Sequence, residues 1–185
     1  GTSLFPDDDS WSPEMVIIHE FGHGYWYGLN ANNEFEEAWL DEGINTYSTG
    51  KVLAEAFGPG VLSMSFKGLP LDVLFRMPRY SDNEMDRAGG LSVVEFDPVL
   101  TPSWQFSSRM SYALNVYQRA STMLSTLERL LGEDVMLRVM RAFHMGYRYR
   151  HPRSEDFVRV AEETSGRELD WFFSQFLYDT LEFDY

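Results

Sequence analysis

The stretch HEFGHGYWYGLNANNEFEEAWLDEG, residues 19–43, decides how the rest of the chain is read. It opens with two histidines four residues apart, and a glutamate stands directly after the first. On an α-helix, residues at that spacing lie one above the other on the same face. His19 and His23 so placed can share one ion at about 2.0–2.1 Å from each ring. Glu20 is turned about 100° around the helix axis. It therefore points beside the ion, within reach of a water the ion would hold. This is the H-E-x-x-H arrangement, which combines two ligands with a general base.

A catalytic zinc takes three protein ligands and keeps one position open. The turn-forming run Gly28-Leu29-Asn30-Ala31-Asn32-Asn33 reverses the chain, and a second helix is expected over 34–57, stopped by Gly58-Pro59-Gly60. Glu42, nineteen residues after His23, is the first choice for the third ligand and is expected about two turns into that helix. Glu34, Glu36, Glu37 and Asp41 compete with it. Histidines at this spacing on a wet helix are usually just solvated side chains. Here Met15, Val16, Ile17, Ile18, Phe21, Tyr25 and Trp26 make the segment from Pro13 to about Tyr27 apolar nearly all round, which predicts a helix in the interior. A buried His-Glu-His row without an ion would cost several kcal/mol, on the order of one unpaired polar group or more, so the metal reading is favoured.

Farther along, Ser12-Pro13 reads as the start of the histidine helix. Residues 61–107 are broken by Pro70, Pro78, Gly89-Gly90, Pro98 and Pro102 into short pieces: one helix, some loop and an extended LSVVEF. Helical signals return over 109–131 (ending at Gly132), 133–145 (ending at Gly146), 154–164 (Ser154 as cap, Gly166 as stop) and 168–179. The predicted fold is mainly α with little strand.

Composition bounds the possibilities. The chain has 185 residues, 44% hydrophobic and 16% aromatic, enough for one domain with a packed core. Its 29 acidic and 15 basic residues leave a net charge of −14, a field that repels phosphate backbones and argues against a nucleic-acid partner. There is no cysteine, so disulfides and thiolate metal sites are excluded. No apolar run approaches the roughly 20 residues of a membrane span. Asp7-Asp8-Asp9 reads as a solvated acidic turn, and RYRHPR at 148–153 as cations at a helix end.

HEFGH followed by eighteen residues and the glutamate of WLDEG resembles the signature of gluzincin zinc aminopeptidases, the relatives of aminopeptidase N. The resemblance implies that His19, His23 and Glu42 are the ligands of one zinc ion and that Glu20 is the catalytic base. It extends to SYALNVYQRASTMLSTLERLLGED, where Tyr117 matches the family's transition-state tyrosine with Tyr112 five residues before it, and to the closing SGRELDWFFSQFLY. What it implies is the helical lobe of a thermolysin-like zincin, acting on a peptide or protein substrate as a zinc-dependent aminopeptidase, with Glu20 as general base on a zinc-bound water. Two departures stand out. Many relatives carry an acidic residue seven positions past the ligand glutamate, where this chain has Thr49, so outer support of the zinc is expected to differ. The family's G-x-M-E-N motif, whose glutamate grips the substrate's amino group, is not in this chain. Residues 1–185 are accordingly expected to be a single metallopeptidase catalytic domain, as a fragment without the upstream sheet subdomain. A non-catalytic protein-binding module of the same fold, and a zinc endopeptidase, are the alternatives.

Overall fold

The computed structural model describes residues 12–58, 65–66, 69–70, 82–92 and 96–180. The acidic run at 7–9 and residues 93–95 of the LSVVEF stretch lie outside them. The histidine helix, α1, spans Ser12–Trp26. The second predicted helix is broken: α2 covers Glu34–Glu37, a 3₁₀ turn covers Ala38–Leu40, and α3 runs Glu42–Phe57. The break coincides with a buried run: Ala38, Trp39 and Leu40, the whole of the 3₁₀ turn, are buried. Glu42 is consequently the first residue of its helix and not two turns in.

A two-residue hairpin pairs β1 (Ser65–Phe66) antiparallel to β2 (Leu69–Pro70), and α4 follows at Asp82–Leu91. The next long helix is composite: α5 (Arg109–Ala113), a π segment (Leu114–Arg119) and α6 (Ala120–Leu131) run on without a break. α7 spans Glu133–Tyr147, passing through Gly146 where a stop was expected. α8 covers Ser154–Ser165. Its cap position belongs to Arg153 instead of Ser154, and the Arg153 N–H donates to the Asp156 carboxylate at 3.0 Å. The Ser154 hydroxyl is committed elsewhere, accepting the Trp39 indole N–H at 2.8 Å. α9 (Asp170–Phe173) passes into a second π segment at Ser174–Tyr178. The fold is thus mainly α with little strand, as the sequence predicts, and no described helix is long and apolar enough to cross a membrane.

The core sits where α3 and the 3₁₀ turn meet α6, α7, α8 and α9. Trp39, Ile44, Met123, Leu127, Phe143, Phe157 and Phe172 are buried there. Phe157 is its centre, edge-on to Trp39 at 5.4 Å and to Phe143 at 5.0 Å between ring centroids. Burial of side chains of this size contributes about 1.5–3 kcal/mol each. α3 reaches the composite helix through Gly43. A β-carbon there would stand 2.5 Å from the Ala120 β-carbon and 3.0 Å from the Val116 carbonyl oxygen, so only glycine allows the approach.

The expectation that α1 lies in the interior is overturned. Met15, Val16, Ile17, Phe21 and Tyr25 are 46–71% exposed. α1 packs on α3 along one side, and Tyr25 and Trp26 lean on the His144 ring of α7. The opposite side meets water. Apolar character all round a helix specifies that both sides can be covered, and one of them is.

Candidate metal centre

Two elements supply the donors. α1 carries His19 and His23 on one face, their rings edge-to-face with centroids 4.7 Å apart. α3 presents Glu42 from its first turn, directly opposite. Glu42 Oε2 lies 3.1 Å from His19 Nε2 and 3.4 Å from His23 Nε2. One ligand atom from each of the three residues falls within 4.8 Å of the other two. Donors about 2.0–2.1 Å from one tetrahedral ion would stand about 3.3 Å apart. The 3.1 and 3.4 Å separations bracket that value, and two imidazoles with one carboxylate is a zinc-type donor set. The residues therefore fit one zinc ion.

The rest of the His23 ring is spoken for. Its Nδ1 lies 2.6 Å from Asp41 Oδ1. With the proton on Nδ1, the ring donates to Asp41 and turns the Nε2 lone pair towards Glu42, the tautomer that a ligand histidine needs. Asp41 is 3% exposed, and burial pushes its carboxyl up to about 6 against the pull of His23. Asp41 sits in the sequence as a competitor of Glu42 for the metal; in the structure it stands behind the histidine. Thr49 is buried, and its hydroxyl has no hydrogen-bond partner among the described residues. Outer support comes from Asp41 and not from that position.

Tyr117 reaches the site from the π segment. Its hydroxyl donates to Glu42 Oε1 at 2.5 Å, and its ring stacks on His19 with centroids 5.9 Å apart. Glu42 thus divides its two oxygens, one towards the histidines and one to the tyrosine. Burial raises the Glu42 carboxyl, but the bonds from His19 and Tyr117 outweigh it and hold the group below the ordinary glutamate value. The Tyr117 hydroxyl is pushed well above the usual phenol value by burial and by Glu42 beside it, so it stays protonated as a donor. Tyr112 stands next to Tyr117, with ring centroids 6.4 Å apart. π segments are rare and occur often at functional sites; here the widened turn carries one of the expected site residues.

Glu20 lies on α1 one residue past His19 and is exposed. Of the other acidic competitors, Glu36 and Glu37 are placed elsewhere. Glu37 accepts the Ser154 N–H at 2.9 Å, and Glu36 and Glu37 line a cleft of about 650 Å³ with Tyr27, Asn32, His151 and Arg153. None of the donor residues lines that cleft. Asn45 is a contact that reading the sequence missed altogether. It donates from Nδ2 to the His19 carbonyl at 2.7 Å. Nothing in a lone asparagine within a helix signals such a bond, because it exists only once α1 and α3 are side by side.

Comparison with known proteins bears on the family and the fold. Residues 6–176 match the profile of the Peptidase family M1 domain. The chain is similar to the human protein Aminopeptidase RNPEPL1, 24% identical over 145 residues that make up 77% of this chain and 18% of that protein. The mouse protein of the same name is 30% identical over 89 residues, 47% of this chain and 12% of that one. Among solved structures, an M1 zinc metallopeptidase from Deinococcus radiodurans superposes with a TM-score of 0.67 at 16% identity, covering 92% of this chain and 34% of that one. Legionella pneumophila aminopeptidase A in complex with aspartic acid gives 0.62 at 19% identity, covering 89% and 16%. These likenesses bear out the helical lobe of a zincin as the fold. The chain spans less than a fifth of the curated relatives it matches.

Proposed function

The chain belongs to peptidase family M1, and from that premise we propose that it is the catalytic-domain unit of a zinc-dependent aminopeptidase that removes residues from the free amino end of a peptide. The observation that carries this reading is the convergence of His19 Nε2, His23 Nε2 and Glu42 Oε2 at the separations of a single coordination sphere. The choice of an aminopeptidase over other peptide hydrolases rests on the relatives, three of which bear that name.

His19, His23 and Glu42 would hold one zinc ion. Such an ion supplies Lewis acidity to a carbonyl oxygen and makes a water acidic near neutral pH. The chain's own groups do the rest. Asp41 keeps the His23 proton on Nδ1, so that Nε2 is free to bind. Glu20 takes a proton from the attacking water and gives it to the nitrogen of the leaving amine, returning to its charged form at the end of the cycle. Its exposure suits that work, since the base must meet water and substrate. Tyr117 supplies a donor: the hydroxyl proton that here goes to Glu42 Oε1 is available to the carbonyl oxygen as negative charge builds on it.

The test is made on the whole protein, by metal analysis together with hydrolysis of matched peptides with free and N-acetylated ends. Stoichiometric zinc with cleavage of free peptides only is the expected outcome. Equal cleavage of both would make it an endopeptidase, and zinc without cleavage of either would leave a binding module. Absence of zinc would end the reading. Within the site, Asp41→Ala is expected to weaken zinc binding about 10–100-fold, the usual cost of an outer-sphere partner, in competition with a chelator of known affinity.

A further inference from the structure

Gly22 of α1 and Asn45 of α3 meet beside the donor residues, and each is locally unfavourable. Glycine inside a helix is less stable than alanine. Asn45 is 0% exposed, and its Oδ1 has no hydrogen-bond partner among the described residues, which is costly for a buried amide oxygen. The two are complementary. A β-carbon on residue 22 would stand 1.9 Å from Asn45 Oδ1 and 3.0 Å from its Cγ. With hydrogen there instead, the amide fits against α1 and its Nδ2 reaches the His19 carbonyl at 2.7 Å.

The position of this contact gives it meaning. Asn45 is three residues past Glu42 and therefore shares its face of α3. Gly22 lies between the two histidines. One amide on the helix of the third donor thus grips the backbone of the residue bearing the first. We propose that the Gly22–Asn45 contact is a spacer that sets the separation of α1 from α3, and so holds His19 and His23 at binding distance from the ion that Glu42 ligates. Gly22 and Asn45 are positioning residues for the metal, and the inference rests on reading His19, His23 and Glu42 as one zinc site.

The test is a double-variant cycle on the whole protein. Zinc and cobalt(II) are each titrated against a competing chelator, the visible spectrum of the cobalt form is recorded, and thermal unfolding is followed without metal. Gly22→Ala is expected to weaken both metals about tenfold or more and to move the cobalt bands. Gly24→Ala, on the same helix, is the control, since a β-carbon there meets no neighbouring element within 4 Å among the described residues; it should leave affinity and spectrum unchanged. Asn45→Ala should weaken binding by less, because it removes the grip without a clash. In Gly22→Ala/Asn45→Ala the new methyl enters the space the amide vacates, and affinity should recover towards that of Asn45→Ala alone. If Gly22→Ala does not fold, Asn45→Ala carries the test: lower affinity with shifted cobalt bands supports the spacer, and unchanged values overturn it. Equal effects of Gly22→Ala and Gly24→Ala, or a double variant as weak as the product of the single losses, also overturn it. A parent protein that binds no zinc removes the metal reading itself, whereas a parent that binds zinc with unresponsive variants removes only the spacer.

Discussion

His23→Ala is expected to empty the site of zinc and to reduce peptide hydrolysis to background. The side chain makes two connections at once, with Nε2 3.4 Å from Glu42 Oε2 and Nδ1 2.6 Å from Asp41 Oδ1. Its removal leaves two donors where a catalytic zinc needs three. It also leaves the buried Asp41 carboxylate, 3% exposed, without the partner that offsets its burial. The loss of affinity should therefore exceed the roughly 10–100-fold expected for an outer partner. Elemental analysis after dialysis reads the metal directly, and the hydrolysis assay reads its consequence. A variant that keeps one equivalent of zinc and turns over peptide would remove His23 from the site.

Glu20→Gln separates chemistry from binding. Glutamine keeps the size of the side chain and the helix, but it cannot accept and return a proton. Turnover is expected to fall about 10²–10⁴-fold, the range for loss of a general acid–base group, while zinc content stays at one equivalent. Because Glu20 is exposed, stability should change by no more than about 0.5 kcal/mol. Measuring kcat with free amino-end peptides, alongside metal content and thermal unfolding, distinguishes the cases. Retained turnover would mean that another group takes the proton. Lost zinc would mean that the residue acts on the metal and not on water.

These expectations depend on features legible to different degrees in the sequence. The spacing of His19 and His23 dictates one shared face, because four residues make nearly one helical turn. The stops at Gly58, Gly132 and Gly166 fall at the observed helix ends. Four other features were hidden. The break before Glu42 falls at a buried turn whose Trp39 donates to Ser154 of α8, more than a hundred residues away in sequence, a contact that no local pattern announces. The bonds from Asp41 to His23 and from Asn45 to His19 exist only across the α1–α3 contact. The exposure of α1 reflects what lies against it, which hydrophobicity alone does not report. The π segment has no compositional signature, since its residues are ordinary helix formers.

That segment makes the tyrosine depend on chain length as much as on residue identity. A widened turn is equivalent to one residue more than an α-helix would use between the same two ends. Excising a single residue between Tyr117 and Ala120 would let the backbone close into regular α geometry and turn the phenol about the axis relative to α6. The ring would then leave both His19 and the Glu42 carboxylate, although no site residue had been substituted. In this stretch register is the quantity under constraint, and a frame-preserving deletion should be more damaging than most replacements of the side chains beside it.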